Sequence, residues 1–270
     1  MKNIISILSL VLFICGCTSK TEKKIMIGLV NFVTGSVYII SVEGKETSAV
    51  AGIPVDSGMK IRTKGENSLC EIYIDENIVK IFGNTELSID SLTHDKNTGV
   101  EKTHLSLNKG RSFFRIKNRL MKEQEFSVKT STCTAAVRGT EFFITDKGKS
   151  STVACLEGRV QVESVSRKNT VDAEENEQVI ATGDSRLVKS NLKQKQTDTL
   201  RKDSEVKPAS DNNLKTFGNI EKGDATTLTA IRKKLKRLRT PAEIKKKQSE
   251  PENDEESGEY RIDLPFYKLK

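Results

Sequence analysis

An all-β domain followed by a polar, basic tail is the architecture this sequence predicts, and three observations predict it. From Ile25 to Val188, short runs rich in β-branched and aromatic residues alternate with glycine or polar turns roughly every eight to twelve residues. No long stretch in that range keeps a 3.6-residue apolar period. Beyond Val188 the apolar runs stop, and the net charge goes from +1 over residues 18–188 to +6 over residues 189–270.

The strand-like runs follow in order. "IGLVNFVTGSVYIISV" reaches a turn at Glu43-Gly44-Lys45. "CEIYIDENIVKIFG" reads as two runs joined by Asp75-Glu76-Asn77, a hairpin signal. "LSLNKGRSFFRI" reads as another pair around Asn108-Lys109-Gly110, and "STVACLEGRVQVESV" as a third around Glu157-Gly158. Gly35, Gly110 and Gly158 each precede an alternating run, an internal echo that suits a short β-solenoid or a sandwich reusing one turn. Residues 25–188 are long enough for a single domain with its own core.

Ahead of this domain stands MKNIISILSLVLFICGCTSK. Its apolar run, Ile4 to Ile14, covers 11 residues, too few to span roughly 30 Å of hydrocarbon. A basic start, an apolar stretch and small residues at the end read as a secretory signal. Ile14-Cys15-Gly16-Cys17 resembles the lipobox of bacterial lipoproteins, with Gly16 as the small residue before an acylated Cys17. That resemblance implies cleavage after residue 16, a lipidated tether over residues 17–24 and attachment to a membrane face, facing the periplasm or the cell surface. A single acyl chain binds a bilayer only marginally, whereas several make attachment effectively permanent. Of the other cysteines, Cys70, Cys133 and Cys155 remain in a mature chain. An odd number without a CxxC spacing argues against a metal site or disulfide framework and for small buried apolar residues, with one bridge still open in an oxidising envelope.

After the domain, residues 189–224 read as a polar linker carrying Pro208, and residues 225–270 as a helical basic tail. Leu228, Ile231, Leu235 and Leu238 fall on one helical stripe. Thr240-Pro241-Ala242-Glu243 has the residues of a second helix start. Nine cations (Arg232, Lys233, Lys234, Lys236, Arg237, Arg239, Lys245, Lys246 and Lys247) face Glu243 alone. They form either a solvated helix face or a grip on an anionic membrane or cell-wall polymer. Nucleic acid is not expected, because no aromatic residue interleaves this run to stack on bases. An acidic loop follows, and then YRIDLPFYKLK, apolar enough to dock on something.

Within the domain, "TAAVRGTEFFIT" sets Arg138-Gly139-Thr140-Glu141 between strand-like flanks. Gly139 allows a positive φ or a close backbone approach. Arg138 and Glu141, three apart, could pair across the corner, or could bond backbone groups freed by it. A permanently protonated arginine binds anions but cannot shuttle protons, so the stretch reads as a structural corner or a partner site rather than a catalytic pair. No HExxH, GxSxG, GxGxxG or phosphate-loop motif occurs, and no carboxylate pair stands out. His94 and His104, with Asp95, flank a polar hairpin and read as exposed loop histidines rather than metal ligands. No enzyme, no metal and no cofactor are expected.

Val137-Arg138-Gly139-Thr140-Glu141-Phe142 and Leu156-Glu157-Gly158-Arg159-Val160-Gln161-Val162 together resemble the core of the FecR domain. Upstream, Gly52, Asp56-Ser57-Gly58 and Ile61-Arg62-Thr63 match its early portion. Downstream, Asn176-Glu177-Gln178 stands where the family often has Gly-Glu-Gln. The resemblance covers roughly residues 28–188. It implies an all-β, non-catalytic domain that binds a protein or envelope partner, in signalling. The family's best-known members relay iron-uptake signals to sigma factors through an N-terminal cytoplasmic portion. This chain has neither that portion nor a spanning helix, so the stand-alone FecR-domain lipoproteins seen in spirochaetes are the nearer comparison.

Overall fold

The computed structural model describes residues 27–94, 98, 100–116 and 124–208. Within these residues the chain makes fifteen strands and one helix. The strands are β1 (Gly28–Ile40), β2 (Glu46–Ser48), β3 (Pro54–Val55), β4 (Lys60–Ile74), β5 (Asn77–Ile81), β6 (Glu86–His94) and β7 (Glu101–Arg115). Then come β8 (Glu125–Lys129), β9 (Cys133–Val137), β10 (Glu141–Asp146), β11 (Ser150–Glu157), β12 (Arg159–Ser164), β13 (Thr170–Glu174), β14 (Glu177–Thr182) and β15 (Leu187–Asn191). The helix is α1 (Gln194–Asp203).

All fifteen strands belong to one hydrogen-bonded network. It folds into two layers because the long strands change neighbours halfway. The first half of β7 lies between β6 and β8, and its second half between β5 and β10. β4 pairs with β6 through Lys60–Arg62 and with β5 through Cys70–Ile74. β1 spans both halves of β4, with β2 beyond one end and β3 beyond the other. One layer therefore runs β13-β12-β9-β8-β7-β6-β4-β1-β2, and the other β15-β14-β11-β10-β7-β5-β4-β1-β3. The inward side chains of both layers meet in one core. Phe126 and Val128 of the first pack with Phe114, Phe142 and Val153 of the second. Phe114 stacks on Phe142 at 4.9 Å and meets Phe126 edge-on at 6.3 Å.

Glycines permit the bends. At Gly110 on β7, φ is 94°, and a Cβ there would stand 2.6 Å from the Cα of Thr85. Only glycine fits both the torsion and the space. Gly35 on β1 and Gly65 on β4 occupy the corresponding bends. The echo read from the sequence is thus a repeated layer change within a two-layer sandwich rather than a solenoid coil. Two readings change with it. Asn108-Lys109-Gly110 is no hairpin but a bend within one continuous strand, and Glu157-Gly158 carries the chain from one layer to the other. Asp75, by contrast, does sit in a β4–β5 hairpin turn, with φ 53°.

The polar stretch from residue 189, expected as a linker, is folded as far as residue 208. It finishes β15, forms α1 and returns along the outer face of the second layer. Its apolar anchors, Leu192, Leu200 and Val206, are too widely spaced to produce a helical stripe in the sequence. Cys17, the rest of the expected linker, all nine basic tail residues and the C-terminal apolar segment lie outside the described residues.

Candidate functional site

Residues 138–140 take the chain from β9 in the first layer to β10 in the second. Gly139 turns with φ 65°. Thr140 is buried, and its backbone exchanges two hydrogen bonds with Ile116: the Thr140 N–H donates to the Ile116 carbonyl at 3.1 Å, and the Ile116 N–H to the Thr140 carbonyl at 2.9 Å. The Thr140 hydroxyl donates to the carbonyl of Arg159 at 2.9 Å. Residue 158, the crossing between β11 and β12, nests against this one so closely that a Cβ on Gly158 would come 2.6 Å from the Gly139 carbonyl oxygen. Position 158 must therefore be glycine for the two crossings to nest, which ties the Leu-x-Gly-x-Val stretch to the Arg-Gly-Thr corner. Glu141 gives its carboxylate to the Nε–H of Arg115 on β7, at 2.5 Å. Arg138 is exposed on the rim of the corner, while Gly139 and Thr140 are buried beneath it.

Asn176 occupies the crossing from β13 to β14 with φ 62°. Asparagine tolerates that region better than other non-glycine residues, though its side-chain oxygen is buried without a hydrogen-bond partner among the described residues.

Both histidines lie on strands, not in a loop, and are partly buried. His94 on β6 contacts Glu101 on β7 at 2.8 Å, and His104 on β7 contacts Ser127 on β8 at 2.7 Å. Among the described residues no group of three or more His, Cys, Asp or Glu is placed to hold a metal ion. Cys70, Cys133 and Cys155 are free thiols in the interior. Burial pushes the Cys155 thiol up to about 12 and raises Cys133 as well. Neither is suited to act as a nucleophile, which must be a thiolate. Among the described residues, no helix is long and apolar enough to cross a membrane.

A second constellation escaped the sequence reading. On the outer face of the second layer Phe113, Phe143, Ala154 and Leu156 form their own buried cluster, covered by Leu192, Leu200 and Val206. The Arg111 guanidinium lies 4.6 Å from the ring centres of both Phe82 and Phe143 and pairs with Asp203, at the end of α1, at 2.8 Å. Farther along the face, Glu71 is 1% exposed and stands 3.6 Å from Lys80. Burial raises its carboxyl above the usual range; the Lys207 N–H and the Lys80 cation act in the opposite direction. The signal was present in the sequence: Phe113-Phe114 and Phe142-Phe143 are adjacent aromatics on strands. Alternation therefore sends one phenylalanine of each pair outward, and something must cover it.

The described residues thus define an all-β scaffold of two layers with glycine crossings and one helix-covered outer face. Within it, the family described as FecR protein matches residues 59–161, and the chain carries a FecR domain there. The match begins just before β4 and ends within β12, so it includes the Arg138 corner and both phenylalanine doublets. No curated protein matches the chain. Two solved structures of a candidate anti-sigma factor from Parabacteroides distasonis are similar to it. One, at 2.50 Å resolution, has 17% identity and a TM-score of 0.40 over 49% of this chain and 59% of that one. The other, at 1.65 Å, has 16% identity and a TM-score of 0.42 over 53% and 64%. The chain spans about three fifths of the length of the structures it matches.

Proposed function

We propose that this protein is a lipid-anchored, non-catalytic protein of the bacterial cell envelope whose FecR domain engages a protein partner in signalling. The observation that carries this reading is the FecR match over residues 59–161, which contains the buried Gly139-Thr140 corner with Arg138 exposed on its rim. A guanidinium held at a rigid bend is suited to bind a carboxylate or a backbone carbonyl of another protein. The anchor rests on the Ile14-Cys15-Gly16-Cys17 stretch, with acylation at Cys17 holding the domain on the periplasmic or outer side of a membrane.

Two experiments test the two halves. A photo-crosslinker at position 138 in intact cells is expected to capture one discrete protein; recovery of lipid or polymer alone would overturn the partner. Metabolic labelling with palmitate is expected to mark the wild-type chain and not Cys17→Ala, and equal label in both would remove the anchor.

The nine cations of residues 232–247 support a second reading, in which the tail grips anionic membrane or cell-wall polymer and the β domain is a spacer. Deleting residues 225–247 separates the two. Lost envelope attachment with partner capture intact assigns attachment to the tail.

A further inference from the structure

We propose that residues 192–207 are an internal stand-in for a partner's polypeptide segment, seated on a peptide-binding face of the second layer that the partner takes over by displacement. The inference rests on the partner-binding reading above and places the surface.

The contacts that hold this strap are those with which a protein reads a generic peptide. Lys80 Nζ donates to the carbonyl of Glu205. The Lys207 N–H donates to Glu71 Oε2 at 2.9 Å, and Asn31 Nδ2 donates to the Lys207 carbonyl at 3.1 Å. Three side chains from β1, β4 and β5 thus meet three main-chain groups within three residues. A carboxylate–ammonium pair as buried as Glu71 and Lys80 is costly unless its remaining hydrogen-bonding capacity is met. Here the Lys207 N–H serves Glu71 Oε2 and the Glu205 carbonyl serves Lys80, both backbone groups that any polypeptide supplies, while Glu71 Oε1 has no hydrogen-bond partner among the described residues.

Side-chain recognition consists of two ion pairs, Arg111–Asp203 and the more exposed Arg201–Glu175 at 3.5 Å, the Lys207 ammonium 6.0 Å from the Phe32 ring, and a few apolar contacts. Arg111, seated over the neighbouring rings of Phe82 and Phe143, whose centres are 5.9 Å apart, offers its guanidinium to a carboxylate and receives that of Asp203. The strap covers Phe113, Phe143, Ala154 and Leu156 almost completely yet leaves room beside them. α1 buries only Thr197 fully, and a groove of about 410 Å³ stays open between the helix and the floor of Phe143, Thr152 and Ala154. A partner segment with a carboxylate for Arg111, an extended backbone for Glu71, Lys80 and Asn31, and a large apolar side chain for the groove would fill the face better than residues 192–207 do. The short connection in the same chain gives the strap a local concentration in the millimolar range, so it holds the face until such a segment arrives.

The test uses the full chain and a fluorescein-labelled synthetic peptide of residues 192–208. The variant Leu200→Ala/Asp203→Ala loosens the strap. It is expected to bind the peptide at least tenfold more tightly than wild type, and adding Arg111→Ala is expected to abolish that binding. Equal affinity in wild type and variant overturns the proposal. A dimer formed only by the loosened variant would assign the face to a second copy and likewise overturn it. If the variant fails to fold, hydrogen exchange on wild type decides. The Lys207 amide should exchange at least tenfold faster than those of Phe143 and Ala154, and exchange at the same rate as these would make the strap a fixed part of the core. Failure here with capture at residue 138 intact removes only this surface. Lost capture with peptide binding intact removes the partner reading of the corner.

Discussion

A side chain at position 158 has nowhere to go, and that makes Gly158 the residue on which the Arg-Gly-Thr corner depends. Its φ is 83°, and its missing Cβ faces the Gly139 carbonyl at 2.6 Å. Gly148 has nearly the same torsion, φ 79°, but nothing lies within 4 Å of its missing Cβ. Comparing the two substitutions separates torsion from crowding. Gly148→Ala is expected to cost roughly 1–2 kcal/mol for the left-handed conformation alone. Gly158→Ala should add a further 1–3 kcal/mol, because backbone must move. Urea unfolding of both variants reads the difference, and equal midpoints would show that the two crossings do not constrain each other. Glu71 offers a pH signature at the same scale. Burial raises its carboxyl above the ordinary 4.5, so the folded chain holds that proton more tightly than the unfolded one does. Its contribution is fully present below that value and is lost as pH rises through the folded value. Glu71→Gln removes this titration. Its urea midpoint should therefore improve relative to wild type as pH increases above 4.5, and a constant offset between the two would show that Glu71 does not titrate this way.

Adjacent phenylalanines on β7 and β10 divide the elements into two stability zones. Phe114 and Phe142 point into the core shared by both layers, while Phe113 and Phe143 point outward beneath the strap. Phe114→Ala should cost about 3–5 kcal/mol of global stability, since the cavity lies among layers that cannot collapse independently. Phe113→Ala should cost less globally and should accelerate hydrogen exchange at the Lys207 amide, where the cover is anchored. If both variants lower the urea midpoint equally, the strap is as much a part of the cooperative unit as the strands. The same doublets mark where the sequence was legible and where it was not. Turn chemistry and alternation gave the all-β class, and Gly139 marked a positive-φ bend, as its φ of 65° shows; Gly158 read as a hairpin turn, because residue type does not tell a reversal from a crossing between layers. The bend at Gly110 was hidden, since a glycine after Asn108-Lys109 looks the same whether the chain reverses or changes layer. The helix was hidden for a different reason: Leu192, Leu200 and Val206 dock singly on a surface that only the folded strands create. The Arg115–Glu141 ion pair joins residues 26 apart in the chain, beyond the reach of local spacing.

At the scale of the whole molecule, the sandwich and the proposed anchor make one joint statement about cysteine. Cys70, Cys133 and Cys155 come from β4, β9 and β11, at separate places in one core, and all three are free. Each is shielded twice, by exclusion of reagent and by burial that holds the thiol protonated, as the value of about 12 for Cys155 illustrates. A native chain should therefore react with a thiol reagent at none of the three. Unfolding in guanidinium should release them together, because they belong to one cooperative core. Cys17, if acylated, has its sulfur in a thioether and never reacts. The protein extracted from membranes should then titrate zero thiols when folded and three when unfolded. A chain cleaved but unlipidated would give one and four. A chain retaining its first sixteen residues would give five on unfolding, since Cys15 and Cys17 would both be present. Zero and three would support the core and the anchor in a single measurement. Partial reactivity of Cys133 or Cys155 in the native state would mean that the layers part more readily than their packing implies.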